Sequence, residues 1–134
     1  MSKYATAEQL TNVVHKRRFG EVDLPILGVT VRFQSMTEDE YSQYESAVLA
    51  LKGGGLRKAK LEDANRRFLV LCLVDGDGNR LFADKQVDEF KKWDMADIKI
   101  LYKACSEHCG ISESDIEDLV KNSDAMNASD SATD

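Results

Sequence analysis

No apolar run in this sequence is long enough to cross a bilayer. The longest, Phe68–Val74, has seven residues, and a helical span needs about 20. The N-terminal Met-Ser-Lys-Tyr-Ala-Thr-Ala-Glu-Gln also lacks a signal peptide's apolar region. These two absences lead to the expectation of a cytoplasmic protein with no membrane partner and with reduced thiols. The three cysteines make an odd count. Cys105, His108 and Cys109 could converge at i, i+3 and i+4 on a helix, but no Cys-x-x-Cys or second His/Cys pair completes a four-ligand zinc site. Small buried thiols beside a helix end account for them better. A nucleophile motif, a metal triad and a phosphate-cradling loop are missing too, since Gly53-Gly54-Gly55 has no following Lys-Ser/Thr. The expectation is a protein without cofactor, metal or catalytic residue.

What is present is ordinary for one globular domain: 134 residues, 43% of them hydrophobic, which argues against wholesale disorder. Charge is uneven. The chain carries a net +2 through Arg67 and −8 after it, giving −6 in all. A chain so acidic overall does not suit a phosphate binder. The cluster Arg57, Lys58, Lys60, Arg66 and Arg67 could touch an acidic partner, although a solvated helix face explains it more simply.

The stretch from Phe68 to Phe82 organises the rest. Its seven leading apolar residues must be surrounded by other elements. Upstream, Leu61, Ala64, Phe68, Leu71 and Cys72 recur at helical steps, so the reading is one helix from about Arg57 to Val74, favoured over a buried strand. The Asp75-Gly-Asp-Gly-Asn79 that follows reads as a sharp turn, with return to apolar contact at Leu81 and Phe82. Asp75, Asp77 and Asn79 match the first, third and fifth positions of a calcium loop. Arg80 then stands where glycine is needed, and Gln86 where a bidentate glutamate is needed. Asx side chains bonding their own backbone are the simpler account.

Elsewhere the element boundaries are marked by caps. Thr6 with Gln9 opens a helix expected to run from Ala7 to about Arg17, with Leu10, Val13 and Val14 as its apolar stripe. A β-hairpin is expected near 19–34, bending at Pro25–Gly28, with Val29, Val31 and Phe33 alternating against Thr30, Arg32 and Gln34. A lone hairpin is barely stable, so this one must lie on helices or pair with another chain, which makes it a candidate for self-association. Thr37 and Glu40 form the next capping box, before a helix with Tyr41, Tyr44, Val48 and Leu51 on one face; Gly53–Gly55 end it. Asp84 is read as the cap of a short helix carrying Val87, Phe90 and Trp93. Asp94 caps another with Met95, Ile98, Leu101, Tyr102 and Cys105 as core face, closed by Gly110. Ser112 and Asp115 begin a last helix with Ile116, Leu119 and Val120. The fold class expected is mostly α (α+β): one small helical domain over residues 1–121 with a short N-terminal β-hairpin, and a disordered acidic tail over 122–134.

The order of these pieces resembles the tail assembly chaperones of long-tailed bacteriophages. The resemblance rests on a β segment before Thr37-Glu-Asp-Glu and a glycine linker. It continues in an apolar run ending in Val74-Asp-Gly-Asp-Gly-Asn-Arg-Leu-Phe82, then Gly110-Ile-Ser112 and Lys121-Asn-Ser123. It covers roughly Phe19 to Ser123 and leaves residues 1–18 without a counterpart. It implies a non-enzymatic role in the host cytoplasm: binding the apolar, helical tape measure protein and recruiting tail tube protein during morphogenesis. In many such phages a ribosomal frameshift also yields a longer form. A helical domain with an apolar groove suits that role, and Phe90, Trp93 and Met95, at a junction of short helices, are the candidate partner-binding residues. The alternatives are a calcium-responsive helical regulator using the Asp75–Gln86 loop, or a nucleic-acid-associated regulator using the Arg57–Arg67 cluster. Because residues 122–134 offer little apolar area, deleting them is expected to leave the melting temperature nearly unchanged in calorimetry. A loss of several degrees would show that the tail docks on the domain.

Overall fold

A computed structural model describes residues 3–14, 16–50, 57–112 and 114–122, with the side chains of 57–59 outside that description. The anticipated glycine linker and the tail beyond Asn122 lie outside the described residues. Within them the protein is a mostly helical α+β domain. Helix α1 spans Ala7–Thr11, strands β1 and β2 span Phe19–Leu24 and Val29–Gln34, and α2 spans Glu38–Leu49. Helix α3, Arg57–Cys72, runs into β3, Leu73–Val74; a 3-10 helix, Asp84–Lys92, and α4, Met95–Cys109, follow. A last helix, α5, covers residues 114–122.

The hairpin has the boundaries its alternation predicts. Phe19 pairs with Gln34 and Leu24 with Val29, and cross-strand partners share a face. Gly20, Val22, Leu24, Val31 and Phe33 therefore lie on one side. Gly20 is required there, because a Cβ would stand 2.5 Å from the Phe33 ring. The opposite side carries Arg32 above the Phe19 ring at 4.0 Å and a Thr30–Asp23 hydrogen bond.

Phe68–Val74 is helical only through Cys72, which corrects the expected end at Val74. Leu73 and Val74 are extended and pair antiparallel with Phe33 and Arg32. The sheet order is thus β1-β2-β3. The reason is steric and polar together: a seven-residue apolar run needs cover on all sides, and the open edge of β2 needs backbone partners. Both needs are met by unwinding the last two residues.

Helix α4 lies along the hairpin and is fastened at both ends. Near its start, the fully buried Asp97 carboxylate accepts backbone N–H groups from Ile26 at 3.1 Å and Leu27 at 2.9 Å. Near its end, Arg18 Nη2 donates to the His108 carbonyl, and His108 Nε2 lies 3.0 Å from the Arg18 carbonyl. The His108 ring also meets Phe33 edge-on. Eleven residues of helix rise about 16 Å, close to the length of a six-residue strand. Gly110 ends α4 in the left-handed region at φ 75°.

Helix α2 opens with both halves of its capping box formed. Arg17 grips Glu40 with two 2.6 Å hydrogen bonds, and this pairing holds the Glu40 carboxyl below its ordinary range. The contact joins the segment before β1 to the start of α2. The core then runs through aromatic edges from Tyr44 to Phe68 to Tyr102, linking α2, α3 and α4. Ile116, Leu119 and Val120 of α5 are buried, as their spacing predicts.

Three further expectations need correction. Helix α1 ends at Thr11, not near Arg17, and Leu10, Val13 and Val14 are exposed; a stripe with nothing to pack on does not propagate a short helix. Asp84 does not cap the 3-10 helix. Gln86 accepts the Ala83 N–H in its place, while the Asp84 carboxylate pairs with Arg80 at 2.6 Å. Met95, expected on the core face of α4, is 59% exposed.

Replacing Asp97 by Ala should cost about 2–4 kcal/mol, since two charge-assisted hydrogen bonds are lost and the backbone groups of the hairpin turn lose their partner. Urea denaturation checks this; a loss under about 0.5 kcal/mol would mean that water replaces the carboxylate at the turn.

Candidate functional site

The residues singled out for partner binding come from adjoining elements. Phe90 closes the 3-10 helix, Trp93 follows it in an extended conformation, and Asp94 caps α4 by accepting the Ala96 N–H, which leaves Met95 at its first turn. Phe90 and Trp93 meet edge-on with centroids 5.0 Å apart, and Phe82 joins them at 5.2 Å from Phe90 and 6.3 Å from Trp93. The Leu81-Phe82 pair thus divides: Phe82 returns to apolar contact, and Leu81 stays exposed.

Phe90 and Trp93 edge a groove between α3 and the Phe90–Tyr102 segment. One end, about 240 Å³, is lined by Leu69, Phe90, Trp93, Met95 and Ile98, with Asn65 and Arg66 on the α3 wall. The other, about 460 Å³, is lined by Leu61, Met95, Ile98 and Tyr102, with Glu117 of α5 beside it. Asn65, Met95 and Ile98 line both, so the two hollows adjoin. The three predicted residues therefore share one surface but differ in depth. Phe90 is 2% exposed and forms the floor, Trp93 is half-buried, and Met95 stands open to solvent. Leu61, Asn65 and Ile98 were not anticipated as groove residues. Leu61 and Ile98 carry core spacing and are partly buried against the core, and the three-residue spacing of Met95 and Ile98 marks a shared face.

Other candidate chemistry is already occupied. Asp75 Oδ1 accepts the backbone N–H groups of Asp77 at 2.8 Å and Asn79 at 3.0 Å, as an Asx turn does. Arg32 reaches the Gly76 carbonyl of the same turn, and Arg80 reaches back to the Val70 carbonyl of α3. Among the described residues no group of His, Cys, Asp and Glu could hold a metal ion.

The thiols converge differently from the helical spacing of Cys105, His108 and Cys109. His108 turns to Arg18 and Phe33, while Cys72 lies 3.9 Å from Cys109, sulfur to sulfur. Contacts with Cys105 and Cys109, with burial, push the Cys72 thiol well up. Cys109 is drawn down by Cys72, by the Met36 backbone and by Arg18.

The basic cluster is partly neutralised. Arg67 binds Asp63 at 2.7 Å, Arg66 lies 4.0 Å from the same carboxylate, and Lys60 has a partner. A second cleft of about 350 Å³, between α2 and the end of α3, is walled by Glu40, Arg67, Arg80 and Asp84. All four are committed to ion pairs.

No helix among the described residues is long and apolar enough to cross a membrane. No family model, curated protein or solved structure matches the chain.

Since the Asp75 carboxylate is spent on its own backbone, isothermal titration should register no saturable calcium binding in the micromolar range. A stoichiometric binding isotherm there would promote the calcium-regulator reading.

Proposed function

We propose that this protein is a tail assembly chaperone of a long-tailed bacteriophage. It holds apolar helices of the tape measure protein in the groove between α3 and α4, and helps recruit tail tube protein in the host cytoplasm. Such a role is non-enzymatic and takes no cofactor, nucleic acid or membrane. The observation that carries the reading is the open groove, with Trp93 and Met95 at its rim. An amphipathic helix binds by laying its apolar face into such a groove. Methionine suits the task because its unbranched, polarisable side chain adapts to differing partners. Aromatic rings half-sunk beside it supply anchoring area at low entropic cost.

A soluble holder of apolar helices must not aggregate itself. The net charge of −6 favours solubility. The hairpin, a candidate for self-association, lies on α4, and β1 remains the outer strand of the sheet. Glu21 and Asp23 on β1 are charges of the kind that blunt strand edges against pairing with a copy of themselves.

Co-expression with a tape measure fragment tests the function. Met95→Glu should leave the melting temperature within a few degrees, because the side chain is exposed, yet abolish co-solubilisation of the fragment. Trp93→Ala should weaken it. Phe90→Ala should cost about 3–5 kcal/mol and lose function through unfolding. A folded Met95→Glu variant that still solubilises the fragment would remove the groove from the mechanism. Failure of the wild-type chain to do so would remove the chaperone assignment.

A further inference from the structure

We infer that Cys109 is a modification site for hydroperoxides, and that Cys72 completes the reaction by closing an intramolecular disulfide with it. The inference depends neither on the groove nor on its partner. Its basis is geometric. The Cys109 sulfur lies 3.9 Å from the Cys72 sulfur, although the residues are 37 positions apart in the chain. A disulfide holds its sulfurs about 2 Å apart, so closure asks for a shift of about 2 Å. Cys72 is the last residue of α3 and Cys109 the last of α4, and helix ends adjust more easily than helix interiors.

The two thiols differ in a way that assigns their roles. Cys72 and Cys105 are fully buried, whereas Cys109 is only part-buried. A reagent from solution therefore meets Cys109 first, and a small neutral oxidant reaches such a sulfur more readily than a bulky disulfide. The surroundings also favour the thiolate there. The Cys72 thiol donates to the Cys109 sulfur, and the Met36 backbone and the Arg18 guanidinium add to its effect, against burial and the Glu40 carboxylate. Arg18 is itself held in place by its hydrogen bond to the His108 carbonyl, one residue before Cys109. A partly open, electropositive place is where cysteine is reactive.

In the first step the Cys109 thiolate attacks one oxygen of hydrogen peroxide. The O–O bond breaks, hydroxide leaves, and Cys109 becomes a sulfenic acid. In the second step the Cys72 sulfur attacks the sulfenic sulfur and the S–O bond breaks. The departing hydroxide takes the Cys72 proton and leaves as water. The electron pair lost by the two thiols is the pair gained by the peroxide. A dithiol reductant restores both thiols by exchange.

The full-length protein is treated with equimolar hydrogen peroxide. Its remaining thiols are then blocked with N-ethylmaleimide in denaturant, and the non-reduced peptides are mapped by mass spectrometry. The expected product is a monomer lighter by two hydrogen atoms, with Cys72 joined to Cys109 and Cys105 carrying the only maleimide. Dithiothreitol should reverse the change completely. In Cys72→Ala the reaction should stop at the sulfenic acid, which dimedone captures, and Cys109 should be consumed at least about tenfold faster than Cys105. In Cys109→Ala, Cys72 and Cys105 should stay reduced under the same treatment. The wild-type map decides the matter even where a variant fails to fold. A Cys72–Cys105 bond, a disulfide between two chains, or three thiols that all remain reduced would overturn the inference. So would equal rates at Cys105 and Cys109 in a folded Cys72→Ala variant.

Discussion

Everything in this domain follows from the need to enclose seven consecutive apolar residues. Phe68, Leu69, Val70, Cys72, Leu73 and Val74 are all buried, and only Leu71 is partly open. No single neighbour can cover a segment that is apolar on every side. As a helix, the first part is covered by α2 through Tyr44 and by α4 through Tyr102. Continuing the helix through Leu73 and Val74 would leave the far edge of β2 unpaired. The change to strand at Leu73 resolves both demands and sets the direction in which the chain leaves the core. The Asp75–Asn79 turn then closes tightly enough for Leu81 N–H to reach back to the Leu73 carbonyl at 3.1 Å.

That change of conformation is also where reading the sequence fails, and the reason is physical. A two-residue strand at the end of a helix has no period of its own inside an apolar run. Where the determinants are local, the sequence is a reliable guide. The Thr37–Glu40 box, the bend of the hairpin, Gly110 and the α5 start at Ser112–Asp115 all depend on residues within about five positions of each other. Where they are distant, it is mute. Asp97 sits four residues before Leu101 and eight before Cys105, hence on the buried stripe. Yet its partners, the backbone N–H groups of Ile26 and Leu27, are some 70 positions away. An acid in the first turn of a helix already has a local explanation in the helix dipole, which conceals the long-range one. The Cys72–Cys109 contact, between residues 37 apart, is hidden in the same way.

The groove shows a third kind of legibility. Phe90, Trp93 and Met95 were marked by type and by their place between short helices, and the structure gathers them along one surface. Their depth could not be read, because it depends on how closely the 3-10 helix packs on α3. The difference in depth matters for evolution of the site. Phe90 on the floor is under packing constraint from Phe82, Leu69 and Trp93 together, so changes there are punished as loss of fold. Met95 and the lysines of α4 are free of that constraint and can vary with the partner.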